Sequence, residues 1–326
     1  MKQKLWIGSY TTGTEARGIV GAELEGDSLR LTGESIAAHD PSWLLPVENR
    51  LYWVDEALGQ PAGHVVMARP SESGWDTVCE VSTEGGNPCH LSVSPDGRWM
   101  AAANYASGSV AVYALSADGL PELAAVLPGR ASGPNPDRQR GPHAHFTAFE
   151  DGELLICDLG GDLLRRAVLE DGRWHEAEPK LRFPAGSGPR HRVRRGRYGY
   201  IVCELGNDLE TFDLITGELL ARADVAPGAN GSAAALRMDA AGRLIASHRG
   251  GDCVAAFSLE NPALPRRVSV SPCGGACPRD VLPVGDRLLC ACQQENAVTL
   301  LRPNAIGSFA PVTRLAVPAP VALTPR

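Results

Sequence analysis

One frame recurs along the chain: a turn residue or proline, an apolar strand, a polar turn, a second apolar strand, a polar tip and a third strand. It reads PSWLLPVENRLYWVDE from Pro41, PCHLSVSPDGRWMAAANY from Pro88, PHAHFTAFEDGELLICDL from Pro142 and PRHRVRRGRYGYIVCEL from Pro189. It returns as SAAALRMDAAGRLIASHRG from Ser232 and PRDVLPVGDRLLCACQQ from Pro278, and a seventh copy, PVALTPR, begins at Pro320. Successive starts lie 42 to 54 residues apart, which suits a four-stranded propeller blade of ~40–50 residues. The N-terminal KLWIGSYTTGTEARGIVGAEL offers the strands the seventh copy lacks, so the last blade is expected to combine both termini and remove open sheet edges. The prediction is an all-β, seven-bladed β-propeller forming one domain over residues 1–326. A doubly wound α/β fold needs amphipathic helices of 3.6 periodicity between strands, and none is legible. Two β-sandwiches would leave seven copies of one frame unexplained.

The 36 glycines and 25 prolines fit a chain rich in turns. A net charge of −7 without a basic stripe argues against nucleic acid as a partner. No apolar run reaches the length of a membrane span and the start lacks a signal-peptide core, so a soluble cytoplasmic protein is expected. Nine cysteines without a secretory signal argue against a disulfide framework. Cys273, Cys277, Cys290 and Cys292 have a spacing that loosely resembles zinc ligation. The C-x2-C pairs are missing, and Cys290 and Cys292 sit in the apolar RLLCACQQ, so they read as buried hydrophobes.

In each copy the first two strands form a hairpin, so its open ends lie side by side. The starts contribute Ser42, His90, His143, His145, Arg190, His191, Arg279 and Asp280 to that end. The tips contribute Asp55, Glu56, Asn104, Tyr105, Asp158, Glu204, His248, Arg249, Gln293 and Gln294, whereas the opposite turns carry ordinary EN, DG, RG and GD pairs. Histidines, arginines and carboxylates concentrated at one end suit binding an anion and moving protons. Regular alternation would turn His143 and His145 to the same side. The loop before them, SGPNPDRQRG, lies in the longest interval and reads as an insertion.

At PCHLSVSPDGRWMAAANYASGSVAVYAL, SGPNPDRQRGPHAH, GSGPRH and SHRGGD the chain resembles the seven-bladed lactonase family, from IGSYT to VPAPVAL. That family includes bacterial propeller-type 6-phosphogluconolactonases and the fungal carboxy-muconate cyclase. The resemblance implies opening of a sugar lactone, 6-phosphogluconolactone above all, without a cofactor or metal. It implies proton transfer by His143 or His145 and by Glu204, with Arg190 and Arg249 holding the acidic substrate. His90, Asn104, Tyr105, His191, Arg279 and Gln293 complete the expected substrate-binding set. Family members commonly read A-A-E-I-H at the start of blade five, where this chain has Ala234, Ala235, Leu236 and Arg237. The Asn usual before the blade-four glutamate is Cys203, and that of Asn-Arg-Gly is His248. The partner is expected to be a small anionic lactone or sugar acid, and the chain a monomer. Two other functions share these residues: a non-catalytic propeller binding a sugar acid or protein, and a muconate-type cyclase.

Overall fold

The second strand of each blade is an almost unbroken apolar run. Leu51–Val54, Met100–Ala103, Leu154–Cys157, Tyr200–Cys203, Leu244–Ser247 and Leu288–Cys292 are buried throughout. A strand covered on both faces has no reason to alternate. In fourth strands such as Gly74–Ser82 and Leu219–Asp224 every residue is exposed or half-buried. The computed structural model describes residues 2–72, 74–304 and 307–326. These form seven four-stranded antiparallel sheets, one per copy of the repeat, the strand content of a seven-bladed β-propeller.

Contacts divide the chain into two compact units, Ala38–Pro189 and Met1–Ala37 with Arg190–Arg326. The first holds blades one to three, at residues 41–82, 88–127 and 144–182. Between blades one and two, Tyr52, Val54 and Met67 pack against Leu91, Met100 and Tyr113. Between blades two and three, Ala101, Val110 and Val112 meet Leu154, Ile156 and Trp174. Each large apolar side chain so buried contributes ~1.5–3 kcal/mol. The phenol of Tyr52 donates to the Gly119 carbonyl at 2.6 Å and that of Tyr113 to Ser82 at 2.8 Å, so burial leaves neither hydroxyl unsatisfied.

The other unit holds blades four to seven. In the last, Pro320–Pro325 pairs antiparallel with Lys2–Ser9, from Leu5 opposite Pro325 to Gly8 opposite Ala322. The termini close one sheet, as the repeat predicts.

Sequence reasoning missed the bulges. Pro88 faces Asn104 and His90 faces Ala103, so Cys89 is the extra residue. Arg279 is extra between Pro278 and Asp280, and His145 between Ala144 and Phe146. A bulge re-aims a side chain and breaks the strand's alternation. The residue before the opening proline is left-handed, with φ of 40° at Asp40, 54° at Asn87, 58° at Cys277 and 39° at Ala319, a costly conformation outside glycine. Blade three departs from the expected phase: Ala144, not Pro142, takes the pairing place of the opening proline. His143 therefore precedes the strand, and simple alternation does not relate it to His145.

Candidate active site

In the unit containing blades four to seven, the strands Pro189–Arg195 and Tyr198–Cys203 bring Arg190 beside Glu204. Arg190 Nε donates to Glu204 Oε2 at 2.9 Å, and its Nη1 donates to the Ala234 carbonyl at 2.8 Å. Arg249 Nη2 lies 2.8 Å from the same Oε2, close enough for an ion pair but without hydrogen-bond geometry. The Arg190 and Glu204 side chains are each 3 % exposed, and Arg249 is 18 % exposed. Arg190 Nη1 also faces His191 Nε2 at 3.0 Å. A guanidinium only donates, so Nε2 accepts and the ring carries its proton on Nδ1. Two guanidiniums against one carboxylate leave the group positive, a setting for an oxyanion.

Next to Arg249, His248 is fully buried. Its Nδ1 accepts the Gly251 N–H at 3.0 Å and its Nε2 faces Asn207 Oδ1 at 3.1 Å. One neutral tautomer satisfies both contacts, and burial holds the imidazole below its ordinary pKa. Arg279 lies over the Tyr10 ring at 5.0 Å. Gln293 Oε1 accepts from Cys277 Sγ at 4.0 Å. Where the family carries its blade-five carboxylate, Ala235 is fully buried and its N–H donates to Ser247 Oγ. Arg237 turns to Asp280, with Nη2 at 3.1 Å from Oδ1. Cys273 and Cys292 place their sulfurs 3.8 Å apart.

The unit of blades one to three carries a second group, built on Tyr105. His143 Nδ1 donates to the Tyr105 carbonyl at 2.7 Å, and the two rings stack at 4.6 Å and 17°. His145 meets the same phenol ring edge-on at 5.5 Å. Both histidines thus converge on one residue, although a bulge lies between their expected and actual registers. With Nδ1–H committed, a neutral His143 keeps its lone pair on Nε2, the arrangement of an oriented base. The insertion supplies the next contact: Arg138 Nη2 donates to the Tyr105 hydroxyl at 2.9 Å. Gln139, fully buried, pegs that loop by donating to the Leu159 carbonyl at 2.9 Å and to Asp162 Oδ1 at 2.8 Å. Sequence reasoning flagged the loop but named neither residue. The signal was present, since a long polar insertion kept beside two histidines needs something to hold it.

Two of the expected binding residues are occupied with holding the fold. His90 sits between Trp43 and Phe146, each ring centroid 4.1 Å away, and its Nδ1 accepts the Thr147 N–H at 3.2 Å. Asn104 Nδ2 donates to the Thr83 carbonyl at 3.1 Å and to Ser109 Oγ at 3.0 Å. The blade-three tip, Asp158, accepts the N–H groups of His143 and Gly161 at 2.8 and 3.1 Å. Burial pushes that carboxyl above its ordinary pKa, against the pull of Arg165.

The profile of the family described as "Lactonase, 7-bladed beta-propeller" matches residues 4–325. The 6-phosphogluconolactonase of Bacillus subtilis is 30% identical over 299 residues, 84% of this chain and 83% of the relative. Among solved structures, a periplasmic gluconolactonase of Pseudomonas aeruginosa superposes with a TM-score of 0.89 at 26% identity, covering 100% of this chain and 99% of that one. A Lactobacillus plantarum protein gives 0.90 at 25% identity, with both chains fully covered. A repeat of seven blades closed by both termini, together with a match along nearly its whole length, makes the chain a member of the seven-bladed β-propeller lactonase family.

Proposed function

We propose that the chain hydrolyses a sugar lactone bearing an anionic group, with 6-phosphogluconolactone as the substrate. The observation that carries this reading is the pair of arginines on one oxygen of buried Glu204. In lactone hydrolysis water attacks the ring carbonyl, an oxyanion forms, the ring C–O bond breaks and the leaving alkoxide takes a proton. Arg190, held by Glu204, His191 and the Ala234 carbonyl, supplies preorganised donors of the kind that stabilise such an oxyanion. Arg249, more open to solvent, suits the phosphate or carboxylate of the substrate. Glu204, held against these arginines, orients the attacking water. Of the two histidines on Tyr105, His143 is assigned the acid–base role, through Nε2. His143 is preferred over His145 because its hydrogen bond and its stacking on Tyr105 fix both tautomer and ring plane. No cofactor enters these steps, and the protein is proposed to act in the cytoplasm as a monomer.

A second reading, a propeller that binds a sugar acid without turnover, draws its support from Ala235 and from the Arg237–Asp280 pair that replace the family's blade-five acid and histidine. Acid release from gluconolactone and 6-phosphogluconolactone, followed against the spontaneous rate, separates the two. Turnover above background supports the lactonase, and saturable 6-phosphogluconate binding without turnover supports the alternative.

A further inference from the structure

We infer that blade one carries a binding site for a divalent transition-metal ion of the zinc class, formed by Asp55, His64 and Glu80 with His39 behind it. Three neighbouring strands build it. Asp55 ends Arg50–Asp55, His64 opens His64–Ser71, and Glu80 lies in Gly74–Ser82. Asp55 pairs directly with His64, and Glu80 pairs with Val66, two residues on from His64. Antiparallel pairing and a period of two put all three side chains on one face.

The donor atoms lie near the spacing of a coordination shell. One ligand atom from each residue lies within 4.8 Å of the others. His64 Nδ1 is 3.4 Å from Glu80 Oε1 and 3.9 Å from Asp55 Oδ2. Ligands bound at ~2.0–2.2 Å in a tetrahedron stand roughly 3.3–3.6 Å apart, so small adjustments suffice. His64 Nδ1 is buried yet hydrogen-bonds to neither carboxylate, and a buried nitrogen in that position calls for an explanation. The other oxygen of Asp55 is committed: Oδ1 lies 2.7 Å from His39 Nδ1 and accepts the Ala57 N–H at 2.9 Å. Those contacts turn Oδ2 toward His64, as outer-shell partners do at metal centres.

The site is open to solvent, with the His64 side chain 34 % and that of Glu80 54 % exposed. One imidazole and two carboxylates with a position left for water suit Zn2+, Co2+ or Ni2+ better than Mg2+ or Ca2+, which prefer all-oxygen shells. None of the four residues takes part in the proposed hydrolysis, so metal binding and turnover can fail independently.

Cobalt titration of the full chain, read by visible absorption and competed with Zn2+, tests the site. The expected result is one equivalent bound with a spectrum free of thiolate charge transfer. His64→Ala removes that equivalent, Glu80→Gln weakens it, and His39→Ala lowers affinity by ~10–100-fold. Glu80→Gln changes a largely exposed side chain, so its effect does not depend on misfolding. Absence of a stoichiometric site, a thiolate band from cysteine ligation, or identical binding by wild type, His64→Ala and Glu80→Gln overturns the proposal.

Discussion

Arg190 donates to Glu204 through Nε at 2.9 Å, and both side chains are almost wholly removed from water. Such a pair is held together because each charge would be costly alone; losing one partner of a buried pair typically costs ~3–5 kcal/mol. The same burial makes its charges strong toward anything that binds beside them. Glu204→Gln keeps the shape and removes the charge. The expected outcome is a fall in kcat of ~10²–10⁴-fold with the far-UV spectrum unchanged.

The two histidines on Tyr105 are expected to separate kinetically. His143→Ala should lower kcat by ~10²–10⁴-fold, the usual scale for losing a general base. His145→Ala should act mainly on KM, since its ring meets Tyr105 edge-on without sharing that hydrogen bond. Steady-state kinetics on both variants check the split, and the reverse pattern would assign the base to His145.

Gln139 has no surface to lose and makes side-chain bonds to Leu159 and Asp162. Gln139→Ala leaves their buried acceptors without this donor, at ~1–3 kcal/mol. A lowered urea midpoint is expected, together with a raised KM as Arg138 loses its place on Tyr105.

His248 gives a pH signature. Burial holds its folded-state pKa below the ordinary value of 6.5. Protons therefore bind the unfolded chain first as pH falls. The stability is present above about pH 6.5 and is lost as the pH drops toward the depressed folded value. Urea unfolding at pH 8 and pH 5 should show this loss in the wild type, and a smaller one in His248→Asn.

The blade count and the closure were legible because they rest on turn residues and on runs of apolar side chains, both local in sequence. The phase of blade three was not. GPHAH offers a proline two residues before the residue that pairs in its place, and pairing belongs to two strands at once. Bulges at Cys89, His145 and Arg279 were hidden for the same reason. Glu204, Arg190 and Arg249, which the structure brings together, were legible as candidates because charged residues at blade ends stand out against apolar strands. His90 was equally conspicuous, yet its packing between Trp43 and Phe146 depends on side chains from neighbouring blades. Arg138 was hidden in a loop whose fold is set by Gln139, a contact no local pattern announces.

On the proposed function, the arginines on Glu204 serve hydrolysis of a phosphorylated lactone. Its most direct test is the initial rate of 6-phosphogluconolactone opening, corrected for the spontaneous reaction, by wild type and Arg249→Ala with gluconolactone in parallel. The wild type is expected to prefer the phosphorylated lactone, and Arg249→Ala to lose most of that preference through a raised KM. A wild type that accelerates neither lactone, or an Arg249→Ala variant with its preference intact, would contradict it.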